Sequence, residues 1–137
     1  MMILRFLFSA AAFVAATYSL SAYSSPDKII PEPVEYSVSE GFHNLKGDGS
    51  DIKVYLSDAE FASKIKDLPS FAQEEAYRLV VGRKGVRIYA KTEEGAFRAA
   101  QCLEMMRLID RDIQFCDIFD YPRFQHRGIM LDESRSF

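Results

Sequence analysis

Three things are scarce in this chain, and each scarcity removes a class of function. Two cysteines and two histidines are too few soft ligands for a structural zinc site, and no spacing among them resembles one, so no metal is expected. Seventeen lysines and arginines against twenty acidic residues, a net charge of -3, leave no basic excess of the kind that nucleic-acid binding needs. After the first two dozen residues no further long apolar run occurs, so the body of the chain offers no membrane-spanning helix. Internal repeats and low-complexity linkers are also missing. What remains is an ordinary globular balance, 48% hydrophobic and 27% charged residues over 137 positions.

The leader is different. Arg5 precedes an apolar run from Phe6 to Ala16 that fades into small and polar residues, Ser19 to Ser25, the pattern of a secretory signal peptide over residues 1–24. The rival is a membrane anchor, but the run is shorter than the roughly 20 residues that cross a bilayer. No cysteine stands in this region for lipid attachment. The mature protein is therefore expected to be periplasmic or secreted, beginning between Ser21 and Asp27, with membrane contact only during export. In that compartment Cys102 and Cys116 have the option of pairing. The simpler expectation is two small buried hydrophobes, one on a helix and one on a strand.

Pro26 to Pro33 reads as an extended lead-in, because Pro31 and Pro33 each push the preceding residue out of the helical region. Val34–Val38 is a predicted strand; Ser39-Glu40-Gly41 a turn, with Phe42–Leu45 returning as its hairpin partner. Ile52, Val54 and Leu56 alternate with Lys53 and Tyr55, predicting a half-buried strand. Ser57 and Glu60 have capping-box spacing and Leu56 with Phe61 staple spacing, so a helix is expected, with the stripe Phe61, Ile65, Leu68 and an end at Pro69. Tyr77 to Ala90 alternates on both sides of Gly82-Arg83-Lys84-Gly85, the clearest hairpin of the chain. Its outward Arg78 and Arg87, with Arg83 and Lys84, suggest an anion site; a solvated sheet face explains them more simply. Thr92 should cap a helix carrying Glu93 and Glu94 in its first turn and burying Ala96, Ala99, Ala100, Leu103 and Met106. Met105 and Met106 are read as packing residues rather than ligands. Ile113–Phe119 is a last strand. The fold class is α+β, a small antiparallel sheet covered by two helices, of a size able to bury its own core.

The tail then reads Asp-Tyr-Pro-Arg-Phe-Gln-His-Arg-Gly-Ile-Met-Leu-Asp-Glu-Ser-Arg-Ser-Phe, Asp120 to Phe137. A polar turn at Pro122 followed by a short apolar run into Asp132 is how a buried parallel strand emerging at an active-site face reads. This phrase resembles the first barrel strand of the β-N-acetylhexosaminidases, family twenty of the glycoside hydrolases. Ile30-Pro31-Glu32-Pro33, Glu75-Ala76-Tyr77-Arg78-Leu79, and Gly95-Ala96-Phe97-Arg98 with Gln101 and Leu103 are similar to phrases of that family's small non-catalytic domain. Two neighbouring families place a comparable domain before a barrel, the α-glucuronidases and the bacterial relatives of O-GlcNAc hydrolases. The latter carry a Glu-Gly-Phe-Tyr-Gly type phrase after Arg-Gly, where this chain has Leu131-Asp132-Glu133-Ser134-Arg135.

The resemblance implies three segments: the signal peptide, residues 1–24; a non-catalytic α+β domain, 25–119; and the truncated start of a (β/α)8 barrel, 120–137. It implies hydrolysis of terminal non-reducing N-acetylhexosamines by a retaining, substrate-assisted mechanism, with glycans as partners and no cofactor. The catalytic Asp-Glu pair of the family belongs to a later barrel strand, so no catalytic residue is expected within this chain, which alone should be inactive. Asp132-Glu133 is also an adjacent pair, but it lies in the first-strand phrase, where Asp132 reads as structural or orienting and Glu133 as incidental. Arg127 matches the arginine that grips the sugar hydroxyls at carbons three and four, a task suited to a planar guanidinium; a salt bridge to a carboxylate such as Asp132 is the plainer reading. Ser136 stands where the family usually has His. The rival from another class is a standalone carbohydrate-binding or structural domain, or the remnant of a broken gene.

Overall fold

The computed structural model describes residues 23–128. The apolar leader run, the strand expected at Gly128–Asp132, the Asp132-Glu133 pair and Ser136 are sequence expectations that lie wholly or mostly outside the described residues.

Five strands form one sheet: β1 (Glu35–Asn44), β2 (Ile52–Leu56), β3 (Tyr77–Gly82), β4 (Gly85–Ala90) and β5 (Asp112–Asp120), in the order β1-β5-β3-β4-β2. Three helices accompany them, α1 (Ala59–Ile65), α2 (Ser70–Glu75) and α3 (Glu93–Ile109). The α+β class holds, with two corrections. The sheet is mixed, because β2 pairs with β4 in parallel while every other pairing is antiparallel. The two-residue loop of the β3–β4 hairpin commits one edge of β4 to β3; β2 takes the free edge, and the α1–α2 crossover supplies the length a parallel pairing requires. The second correction is the helix count. α1 stops at Ile65, short of Pro69, and leaves Leu68 outside the helix, while the Pro69 carbonyl accepts from the Ala72 and Gln73 amides at 2.9 and 3.0 Å and so starts α2. A proline lacks only a donor, which the first turn of a helix does not use.

Leu79, Val81, Val86, Ile88 and Ile118 from the strands meet Ala99, Cys102, Leu103 and Met106 of α3 in the main core. Phe61 and Ile65 of α1 pack with Ala76 and Phe119 in a second cluster, which the alternation of Ile118 and Phe119 along β5 places on the other face. Val54 and Leu56 remain about half exposed, at 52% and 47%: they alternate as expected, but β2 is an edge strand. Ala100 of α3 is likewise exposed.

Several local expectations shift. Val34–Val38 and Phe42–Leu45 are not a hairpin; both run within β1, which pairs with β5 throughout, and Ser39-Glu40-Gly41 is a bulge between Val38 and Phe42. Gly41 takes φ +116°, and a Cβ there would enter the Phe115 ring. The N-cap of α1 is Asp58, whose carboxylate accepts from the Phe61 amide at 2.9 Å. The Ser57 amide is already bonded to the Ala90 carbonyl at 3.0 Å, so it is not free for the return bond from Glu60 that a capping box needs. Pro26–Lys28 forms a 3-10 turn rather than extended chain, and the Ile30–Pro31 peptide is cis. Thr92 caps α3 as expected, accepting from the Gly95 amide at 3.2 Å. The cysteines are free and buried, and burial pushes their thiols up, to about 11 for Cys102 and about 12 for Cys116.

Candidate functional site

The phrases that carried the family resemblance converge on one place. A cavity of about 300 Å³ opens between α3, the end of β5 and the chain on either side of the sheet, and its lining includes Glu75, Tyr77, Arg98, Asp120, Tyr121 and Arg127. Glu75 closes α2, Tyr77 opens β3, Arg98 lies one turn into α3 and Asp120 ends β5. The close approach of α3 is built in at Gly95, where a Cβ would come within 2.6 Å of the Ala76 carbonyl.

Arg127 reaches this cavity from the tail. Its guanidinium donates to Glu75 Oε1 at 2.6 Å, and Arg98 Nε donates to Glu75 Oε2 at 3.0 Å. Arg98 in turn contacts Glu94 Oε1 at 2.8 Å. Charges therefore alternate along a ladder, Glu94–Arg98–Glu75–Arg127. Partial burial pushes the Glu75 carboxyl up, but the two guanidiniums outweigh it and hold the group below the usual carboxylate range. The plainer reading of Arg127, a salt bridge, thus describes it in this chain, with Glu75 as the partner; Asp132 lies outside the described residues.

Asp120 sits deeper. Its two oxygens accept from the Val34 amide at 3.2 Å and the Tyr77 hydroxyl at 3.3 Å. Burial raises the Asp120 carboxyl above its ordinary value, and the Val34 and Tyr121 amides, Tyr77 and Arg123 only partly offset this. Burial also raises the Tyr77 hydroxyl, with Cys102 and Asp120 adding to the shift. These groups tie the lead-in segment to β5 and do not form a nucleophile with its base: burial pushes the Cys102 thiol up to about 11, which makes it a poor thiolate source at neutral pH.

The arginines of the sheet also resolve. Arg78 Nε and Nη2 grip Asp117 at 2.9 and 2.7 Å, so Arg78 is neutralised in place, while Arg83, Lys84 and Arg87 are exposed, as a solvated face predicts. Outside the cavity His43 Nε2 lies 2.6 Å from Asp51 Oδ2. Among the described residues no three His, Cys, Asp or Glu side chains gather in a way that would hold a metal. Sequence reasoning singled out Arg127 and missed its partner Glu75 and the second arginine on that carboxylate, Arg98. Both stand in phrases similar to the family's, and only the fold shows that the phrases meet.

Residues 48–121 match the family model "Glycosyl hydrolase family 20, domain 2". The chain is similar to the beta-hexosaminidase of Vibrio vulnificus, 30% identical over 133 residues, covering 80% of this chain and 15% of that one. It is also similar to beta-hexosaminidase A of Caenorhabditis briggsae, 39% identical over 74 residues, 50% of this chain and 13% of the relative. Its fold resembles the X-ray structure of a chitobiase from Flavobacterium johnsoniae, with a TM-score of 0.51 at 22% identity, covering 80% of this chain and 23% of that one. The chain spans only 13 to 15% of the length of these curated relatives. The matched residues run from the start of β2 through the end of β5, the whole of the sheet except β1, and on that ground the chain belongs to glycosyl hydrolase family 20, with residues 48–121 as its domain 2.

Proposed function

We propose that this chain is the N-terminal, non-catalytic part of an exported β-N-acetylhexosaminidase that releases terminal N-acetylhexosamines from glycans. The observation that carries the reading is continuity: the family's domain 2 ends at residue 121, and the chain runs on without a break into Arg123-Phe124-Gln125-His126-Arg127-Gly128, the phrase that resembles the entrance to the family's barrel. In this reading residues 120–137 begin that barrel and residues 1–24 direct export.

In the proposed reaction the substrate's acetamido oxygen attacks the anomeric carbon, and the glycosidic bond breaks as its oxygen takes a proton from a general-acid Glu. An adjacent Asp orients the acetamido group and stabilises the oxazolinium ion. Water then opens that ion, giving a proton back to the Glu. Both carboxylates belong to a part of the barrel beyond this chain, so the chain alone is inactive. Arg127 would bind the hydroxyls at carbons three and four with its remaining donors, since both of its bonds to Glu75 come from Nη2.

The test is the intact mass of the protein made from its own gene, together with an assay on a chromogenic N-acetyl-β-glucosaminide. A mass several-fold above the 15.6 kDa of this chain, with hydrolysis by that protein and none by the 137-residue chain, is the expected result. A mass at or below 15.6 kDa without hydrolysis replaces the enzyme reading with that of a separate small domain.

A further inference from the structure

Ser24 is part of the sheet. Its amide donates to the Asp112 carbonyl at 3.0 Å and its carbonyl accepts from the Gln114 amide at 2.9 Å, a parallel bridge opposite Ile113. On that side of β5 the ladder to β3 stops at Cys116, so Ser24 supplies the partner that β3 does not reach. Ser24 is 0% exposed and Ser25 4%. Around them the Tyr23 ring lies 5.3 Å from that of Phe42, and Lys28 Nζ donates to the Tyr23 carbonyl at 2.5 Å.

Processing of an exported chain favours small residues one and three positions before the cut. Two bonds in Ser19–Ser25 have them on both positions, Ser21–Ala22, after Ser19 and Ser21, and Ser24–Ser25, after Ala22 and Ser24. Sequence alone gives no ground to choose. The packing does: a cut at Ser24–Ser25 removes both bonds to β5 and discards the Tyr23–Phe42 contact. A sheet edge stripped of its bonds is costly.

We infer that the processing site is upstream of Tyr23, at the Ser21–Ala22 bond, and that Tyr23–Ser25 is a built part of the mature domain rather than the end of its leader. The inference rests on the export reading above. The step is a hydrolysis: a signal peptidase of the host adds water across the Ser21–Ala22 amide, leaving a carboxylate on Ser21 and an amine on Ala22.

The experiment is N-terminal sequencing of the protein exported by its own cell, with thermal melting of two purified chains that begin at Ala22 and at Ser25 and both end at Phe137. The expected N-terminus is Ala22, and the chain that begins at Ser25 melts lower by about 5 °C or more, or does not fold. Any other N-terminus overturns the inference, as does equal melting of the two chains. Recovery of the protein only from inside the cell overturns the export reading itself, and the melting comparison keeps the two failures apart.

Discussion

Glu75 and Asp120 line the same cavity and carry the same functional group, yet their carboxyls shift in opposite directions. Glu75 is the shallower, and two guanidiniums hold it charged. Asp120 is deeper and is met mainly by neutral donors, the Val34 amide and the Tyr77 hydroxyl. The contrast shows what each can do. A carboxylate held by partly exposed cations can exchange them for another partner, whereas one that fastens two backbone segments through neutral hydrogen bonds is a structural tie. Each side of the comparison rests on the sheet beneath, and the largest expected effect comes from there. Ile118, two residues before Asp120, is 0% exposed and pairs with Leu79 of β3. Ile118→Ala should destabilise the domain by about 2–5 kcal/mol, measured by chemical denaturation, and disturb both carboxylates together.

Asp120 comes next. Replacing it with Ala strands the Tyr77 hydroxyl and the Val34 amide, at an expected loss of about 1–3 kcal/mol. Asp120→Asn keeps an acceptor and removes the charge, so it separates the tie from the titration. The folded carboxyl is raised above the unfolded value of 3.8. The folded state therefore holds its proton more tightly, and stability is lost as pH climbs from about 3.8 through the raised value. Melting against pH should show that decline in the natural protein and a flatter profile in Asp120→Asn.

Glu75 should give the opposite sign and a smaller effect. Its folded carboxyl lies below the unfolded value of 4.5, so its contribution is present above that value and is lost as pH falls through the folded one. Arg98 and Arg127 are 38% and 46% exposed, which limits the loss in Glu75→Gln to below about 1 kcal/mol. Added salt should shrink the difference further.

The same contrast runs through what was legible in the sequence. Local signals carried the parts that local chemistry decides: the alternation of β3 and β4 about a two-residue loop, the Thr92 cap, the apolar stripe of α3. What went astray was decided at a distance. Ser39-Glu40-Gly41 has the composition of a turn, and it became a bulge because β5 pairs with both halves of β1. Ser57 fits a cap, but the Ala90 carbonyl, far along the chain, claims its amide. At the site, resemblance pointed to Arg127, whereas its partner Glu75 lies 52 residues away and no spacing rule joins them. The strand β2 was legible from its alternation, but its parallel pairing with β4 at the sheet's edge was not, since alternation states which residues share a face and not which neighbour the strand will find.

The smallest expected effect tests whether the tail belongs to the domain at all. Among the described residues, the two buried clusters draw on none beyond Tyr121. Past that point the described contacts are the Arg123 bond to the Glu32 carbonyl at 3.1 Å and the Arg127–Glu75 pair, both exposed, and such contacts contribute about 0–1 kcal/mol. A chain that stops at Pro122 should therefore melt within a few degrees of the 137-residue protein, even though it lacks the residue proposed to bind sugar. Loss of folding on that truncation would mean that residues 123–137 complete the core of the domain, and their assignment to a barrel would fall. Unchanged melting would leave Asp120 as the last tie of the domain and Glu75 as the place where the next segment rests.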